Sequence, residues 1–393
     1  MLAFLSDGVS ESVLRSLATT MGIASSSVMG GGVKAAVKYL EEHRSPKILF
    51  IDLSESELPI SDVNELSEVC EPGVIVIALG TRNDVGLFRE LLSLGISDYL
   101  VKPVSIDLIR RTLAVSQGAA EQDFQGIRSG RLVSVLGVRG GVGATTIAVN
   151  SSWILANERS KRVSLIDLDI QFGNVNLFLD LKPSIGFRQV LQTPDRVDST
   201  FIERTMTKHS ERLSILSGEE PLDELTPFSE KSLEILLPIV RNQFHYVVLD
   251  LPRTVSSTTL YALRKSSIVV LVCDLTILSV REVNRLLGIF QNDTVAQRII
   301  IVANKSHLSP SGEISKEEFE KAINRPVNHT LLFQPNPALE ALNLGQPVVR
   351  SANSLTQGLR HLVDDITGGL QLAEESPTLW TKLGDLVSKI SGS

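Results

Sequence analysis

Short, unbroken apolar runs alternate with longer stretches of three-to-four periodicity along most of the chain. Runs at Leu2–Leu5, Lys47–Leu53, Val74–Leu79 and Asp98–Val101 predict strands, and the segments Val33–Glu42 and Val85–Leu94 between them predict helices. A second series predicts strands at Leu132–Val138, Val163–Asp167, Leu213–Leu216, Tyr246–Asp250, Ile268–Cys273 and Ile299–Ala303. Strands apolar at nearly every position, rather than at alternate ones, suit parallel sheets covered on both faces. The pattern therefore predicts an α/β chain with helices flanking mostly parallel sheets.

The two series are separated by Gln117-GAAEQDFQGIRSGR-Arg131, which has too few apolar anchors for a core element and reads as a linker. Four segments result: a unit over 1–117, a linker over 118–131, a larger unit over 132–372, and a tail over 373–393. In the tail, Leu379, Trp380, Leu383, Leu386, Val387 and Ile390 recur at helical spacing on one face. The polar face carries only Lys382 and Lys389 with Asp385, which is thin for anionic lipid. Packing on protein is the favoured use of this amphipathic helix, and peripheral membrane contact is the alternative.

Composition narrows the class. With 393 residues, 43% hydrophobic and 21% charged, the chain is long enough for two or three cored domains. A net charge of −7 argues against a nucleic-acid coat, and no nucleic-acid partner is expected. Cys70 and Cys273 are the only cysteines, with no CxxC or histidine pair nearby, so neither a disulfide framework nor a zinc site is expected. The apolar runs are too short to span a bilayer, and the start, MLAFLSDGVSES, lacks the basic region of a secretory signal. A cytoplasmic setting is the expectation.

The chemistry concentrates in Ser134-VLGVRGGVGATTIAVNSSW-Trp153, a strand followed by a glycine-rich turn and an apolar helix. Gly140, Gly141, Val142, Gly143, Ala144, Thr145 and Thr146 form the kind of loop whose backbone N–H groups surround phosphate oxygens at a helix N-terminus. Thr145 stands where a hydroxyl would ligate Mg²⁺. Two further strands end in acids, Asp167 with Asp169 and then Asp250. Acids at the carboxyl ends of parallel strands emerge beside such a loop, where they can hold Mg²⁺ or orient an attacking water. No Ser-His-Asp or Cys-His arrangement is legible. His209, His245 and His329 lack partners at metal-ligand spacing and read as surface or satisfied core residues, while Asp274 reads as a helix cap.

These features resemble the MinD/ParA group of deviant Walker A ATPases, over roughly Leu132–Leu372. The resemblance implies a P-loop, doubly wound, mostly parallel sheet that binds ATP with Mg²⁺. It implies that Asp169 positions the hydrolytic water and that Thr145, Asp167 and Asp250 support the cation. Asn304, in Ile301-VANK-Lys305, would meet the adenine edge, and Phe333, Gln334 and Pro335 would flank it. Thr276–Arg281 matches a switch-like segment. The group's signature lysine is replaced by Arg139, whose fork also suits phosphates, and its second lysine by Ala144. Losing that charge-assisted contact removes roughly 1.5–3 kcal/mol, or about one to two decades of affinity. The implied enzyme is at most a slow ATPase, since charge stabilisation dominates phosphoryl transfer. An iron–sulfur member of the superfamily is set aside because this half holds only Cys273.

The first unit carries a second constellation. Lys47-ILFIDLSES-Ser56 ends a strand at Asp52, Asp7 follows the first strand, and Gly95-ISDYLVKP-Pro103 supplies Tyr99 and Lys102. This resembles the flavodoxin-like receiver domain of response regulators, with Asp52 as acceptor, Tyr99 as switch aromatic and Lys102 as the conjugate cation. Only one acid, Asp7, stands where receivers carry a pair, and Gly80 stands where a switch hydroxyl belongs, with Thr81 one position late. A structural or protein-binding pseudo-receiver is expected rather than a phosphorylated switch.

A receiver-like unit fused ahead of a MinD/ParA-like unit without the loop lysine resembles the TadZ/CpaE family of tight-adherence (Flp-type) pilus assembly. The resemblance implies a cytoplasmic, polar factor peripheral to the inner membrane that dimerises through its nucleotide domain. Its implied partners are the pilus secretion ATPase and inner-membrane assembly proteins. Two rivals remain: an active partitioning ATPase, and a phosphorylation-controlled response regulator with an ATPase-like output.

Overall fold

The computed structural model of the chain describes residues 1–20, 22, 24–119, 129–223, 229–290, 297–306 and 313–368. The amphipathic tail expected over 373–393 lies outside the described residues. Thirteen strands among the described residues form two sheets. They are β1 (Leu2–Leu5), β2 (Val28–Gly30), β3 (Ile48–Asp52), β4 (Ile75–Gly80), β5 (Asp98–Val101), β6 (Arg131–Gly137) and β7 (Val163–Asp167). The rest are β8 (Thr207–Lys208), β9 (Leu213–Leu216), β10 (Tyr246–Leu251), β11 (Ile268–Cys273), β12 (Arg298–Ser306) and β13 (His329–Leu332).

The first sheet runs β2-β1-β3-β4-β5 and is wholly parallel. That is the flavodoxin-like order, in which ligands meet the carboxyl edge near the β1/β3 switch point. The second runs β13-β12-β11-β6-β10-β7-β9-β8, parallel apart from the short β8–β9 pair. Central strands such as β10 and β11 are buried at all six of their positions, which is why they read as continuous apolar runs. Each sheet packs an apolar core on both faces. In the larger one, Phe187, Leu236 and Phe319 lie on one face, and Ile147, Leu155 and Leu359 on the other.

Three strands are absent from the sequence-based expectation: β2, β8 and β13. All lie at or next to sheet edges, and in β13 only Leu331 is buried. An edge strand with one covered face needs no apolar run, so it leaves little pattern to read.

The helix Ala144–Asn157 follows the glycine-rich loop and is buried from Ile147 through Ser152 and again from Ile154 through Ala156. Its Asn150 reaches across to accept from the backbone N–H of Val349 at 3.2 Å, tying it to the chain's last described segment. The last helix, Ser354–Thr367, opens on a capping box at Asn353 and is held by Asp365, which accepts from Arg298 and pairs with His329 at 3.1 Å. At the amino edge of the larger sheet, Arg162 Nη1 meets Glu71 at 2.7 Å, joining the two units. His245 is placed there with its Nδ1 accepting from the Arg162 N–H at 3.0 Å. Among the described residues no helix is long and apolar enough to cross a membrane.

Candidate functional site

The carboxyl edge of the larger sheet gathers the chemistry because β6, β7, β10, β11 and β12 are parallel and contiguous in space. The β7–β10 register sets Asp167 directly opposite Asp250, and β10 is paired on its other side with β6, which leads into the glycine-rich loop. Gly141 and Gly143 adopt φ of 75° and 92°, the left-handed region that spares glycine and strains other residues. At Gly143 a Cβ would also lie 2.4 Å from Asn304 Nδ2. That space is used: Asn304 Nδ2 donates to the Val142 carbonyl at 2.7 Å. Its neighbour Lys305, itself at φ 55°, donates from Nζ to the Gly141 carbonyl at 2.6 Å. β12 thus latches the loop from the side.

Above the loop lies a cavity of about 590 Å³, inside the usual range for a small-molecule site. Arg139, Gly140–Thr146, Asp169, Asp250, Asn304, Phe333, Gln334 and Pro335 all line it. Arg253 and Lys305 line it as well, although the sequence reading assigned them no role. The sequence signal was a cation close to an assigned residue: Lys305 directly follows Asn304, and Arg253 comes three residues after Asp250. Phe172, Leu339 and Leu332 are exposed at the same mouth.

Asp167 is the correction. It is fully buried and is not part of the cavity wall. One oxygen accepts from the Asp169 N–H at 3.1 Å, and the other from Val175 N–H at 3.4 Å and the Ser217 hydroxyl at 3.2 Å. The loop crosses so closely that a Cβ on Gly173 would fall 2.2 Å from Asp167 Oδ2. Asp167 therefore shapes the Asp169–Asn174 loop from behind, and Asp169 is the acid presented to the cavity. Burial lifts the Asp167 carboxyl to about 7, with the charge of Asp169 adding to it, and lifts Asp250 well above the ordinary carboxylate range through burial and its neighbours Asp167 and Asp169. The Thr145 hydroxyl opposes this by hydrogen bonding to Asp250.

Asp274 is a second correction. The cap of the helix Ile277–Ile289 is Thr276, which accepts from the Ser279 N–H at 3.3 Å. Asp274 instead takes Arg139, whose Nε donates to it at 3.1 Å and whose Nη2 makes a second, shorter contact. Thr276 and Ser279 hydroxyls donate to the same carboxylate. Despite burial, these donors hold the Asp274 carboxyl below its ordinary range. Arg139 thus stands at the rim of the cavity, tethered to the head of the segment expected to act as a switch.

The residues present fit Mg²⁺ shared with phosphates. Among the described residues no three His, Cys, Asp or Glu side chains gather closely enough to hold a metal by themselves. A cation between Thr145 and Asp250 would draw its other ligands from phosphate oxygens and water, the usual manner of Mg²⁺ in nucleotide sites.

In the smaller sheet, Lys102 Nζ bridges Asp7 at 2.5 Å and Asp52. Asp52 is 2% exposed and also accepts from the N–H groups of Ser6 and Ser54, each at 2.9 Å. Burial raises both carboxyls, but Lys102 with Ser54 and Ser6 outweighs it at Asp52, which is lowered, and Lys102 with Ser10 outweighs it at Asp7, which falls to about 2. Lys102 is raised, burial notwithstanding, by the same two acids. Tyr99 is buried over Gly80, where a Cβ would lie 2.3 Å from its hydroxyl, and it donates to the Arg82 carbonyl at 2.9 Å. Thr81 is exposed beyond the strand end, so it does not replace the missing switch hydroxyl.

The fold and the phosphate loop of the larger unit are those of a MinD/ParA-like P-loop domain. Residues 130–301 match a family described as AAA domain. The septum site-determining protein MinD of Helicobacter pylori is 26% identical over 248 residues, covering 60% of this chain and 90% of that protein. Among solved structures, a ParA family ATPase from Chlorobium tepidum matches at 20% identity with a TM-score of 0.54, over 59% of this chain and 98% of its own. MinD from Pyrococcus horikoshii, solved with Mg-ADP, matches at 18% identity with a TM-score of 0.53, over 63% of this chain and all of its own.

Proposed function

We propose that this chain is an ATP-binding, dimerising localisation and assembly factor of tight-adherence (Flp-type) pilus biogenesis, with weak or no ATP hydrolysis. The observation that carries the reading is the cavity over the glycine-rich loop, walled by loop, acids and latch, with Ala144 in place of the loop cation. Mg-ADP in the Pyrococcus horikoshii relative supports the choice of nucleotide and cation. The receiver-like sheet order, joined to a P-loop unit in one chain, supports the pilus-assembly assignment over a septum-site one.

The loop N–H groups would cradle the phosphates while Phe333–Pro335 and Asn304 border the base. Thr145 and Asp250 would hold Mg²⁺, which would supply charge neutralisation at the phosphates. Asp169, presented to the cavity by the loop that Asp167 orders, would orient the attacking water. Arg139 lines the cavity while paired with Asp274, so a phosphate bound to it would be coupled to the head of the Ile277–Ile289 helix. With no lysine at 144 the transition-state charge is poorly met, and ATP acts chiefly as a structural ligand of a two-fold dimer. The pseudo-receiver, with Asp52 buried beneath Lys102, serves as a docking module rather than a phosphorylated switch.

The test is nucleotide content, oligomeric state and phosphate release of the purified chain beside Arg139→Ala and Asp169→Ala. ATP-dependent dimerisation with slow release, lost dimer in the first variant and retained ATP in the second are expected. A dimer equally strong without nucleotide, with none released on denaturation, would sink the reading. Rapid multiple turnover would favour a partitioning ATPase instead.

A further inference from the structure

Three cations line the phosphate cavity among the described residues: Arg139, Lys305 and Arg253. Two are already engaged, Arg139 with Asp274 and Lys305 with the Gly141 carbonyl. Arg253 is exposed and, among the described residues, makes neither an ion pair nor a side-chain hydrogen bond. Its backbone position is well defined. The β10–β6 register sets Leu251 opposite Leu136, so two residues later Arg253 leaves the sheet at the level of Val138, the root of the loop. A second cavity of about 470 Å³ is lined by Val138 and Arg253 together, placing this arginine on the ridge between the two.

The charge balance calls for such a group. Asp169 and Asp250 both line the cavity and repel phosphate oxygens, and a triphosphate carries more charge than one divalent cation cancels. The position that would supply a loop cation is Ala144. A planar guanidinium can grip two phosphate oxygens at once through parallel N–H donors in a fixed fork. We infer that Arg253 is the cation that holds the terminal phosphates in place of the lysine absent at 144. The inference rests on the nucleotide-binding reading above and names the residue through which it works. Because Arg253 contacts the distal phosphates, it separates ATP from AMP, while the base-side contacts at Asn304 and Phe333–Pro335 serve both.

The experiment is calorimetric binding of ATP, ADP and AMP at fixed Mg²⁺ to the full chain, its Arg253→Ala and Arg253→Lys variants and the Ala144→Lys/Arg253→Ala double variant, with melting temperatures as the fold control. Arg253→Ala should weaken ATP by about 10- to 100-fold and leave AMP within about two-fold. Arg253→Lys should fall between, and the double variant should regain ATP affinity because the charge returns by the loop. Wild-type ATP affinity in Arg253→Ala, or an equal loss for ATP and AMP, overturns the assignment while leaving nucleotide binding intact. Failure of the wild-type chain to bind any of the three overturns the nucleotide reading itself.

Discussion

Tyr99 stands so close to Gly80 that the two residues form one packing unit. Gly80 has no positive φ, so its requirement for glycine is the ring above it and not its own backbone. Gly80→Ala should destabilise the chain by about 1–3 kcal/mol through overpacking, read as a lower urea midpoint at unchanged slope. The same substitution in a Tyr99→Leu background should cost less, since the clashing ring is gone. A single-residue prediction of opposite kind applies at the loop. Ala144 lines the cavity at the first turn of its helix, and Ala144→Lys should raise the rate of ATP hydrolysis at least about ten-fold by restoring a transition-state cation. Phosphate release under saturating ATP measures it, and an unchanged rate would show that turnover is limited elsewhere.

Elements matter here through what they hold in place. Near its carboxyl end β12 carries Asn304 and Lys305, whose side chains both bond carbonyls of the glycine-rich loop. Asn304→Ala should loosen the loop by about the net worth of one hydrogen bond, 0.5–1.5 kcal/mol. Faster amide exchange at Gly140–Gly143 and a larger loss of affinity for ATP than for AMP would be observed. Equal weakening for both nucleotides, with exchange unchanged, would instead assign Asn304 to the base side alone. The helix Ile277–Ile289 is the other such element, because Thr276 and Ser279 at its head hold the carboxylate that holds Arg139. The motif spacing marked the loop, Asp169, Asp250 and the Phe333–Pro335 segment, and all of them line one cavity. It left Asp167 and Asp274 misassigned, because whether a carboxylate faces a cavity or its own backbone depends on a loop crossing such as Gly173.

For the molecule as a whole, His245 supplies a pH dependence. Burial first, then the charges of Lys161 and Arg162, hold its imidazole down to about 3, against an ordinary value near 6.5. The unfolded chain therefore binds one proton more than the folded chain between those values, and stability falls as pH drops through that window. The contribution is complete above about 6.5 and declines by up to roughly 1.4 kcal/mol per pH unit below it. His245→Gln should flatten the acid limb of a urea-midpoint profile between pH 7 and 4, and an unchanged limb would assign the acid sensitivity to other groups. Its placement beside Arg162, whose guanidinium pairs with Glu71, puts this titration where the two units meet.

Continuous apolar runs, a glycine loop between strand and helix, and acids at strand ends were sufficient for the α/β class, the two sheets and the sheet edge where the loop and acids gather. Each of those features is local and repeats a backbone requirement that any homologous or unrelated sequence must meet. The pairing of Arg139 with Asp274, the retreat of Asp167 behind the cavity wall and the exposed Arg253, unpaired among the described residues, involve different strands. Only the strand order of the larger sheet brings them to one edge, and strand order is set by packing across the whole domain, which no single stretch of sequence carries.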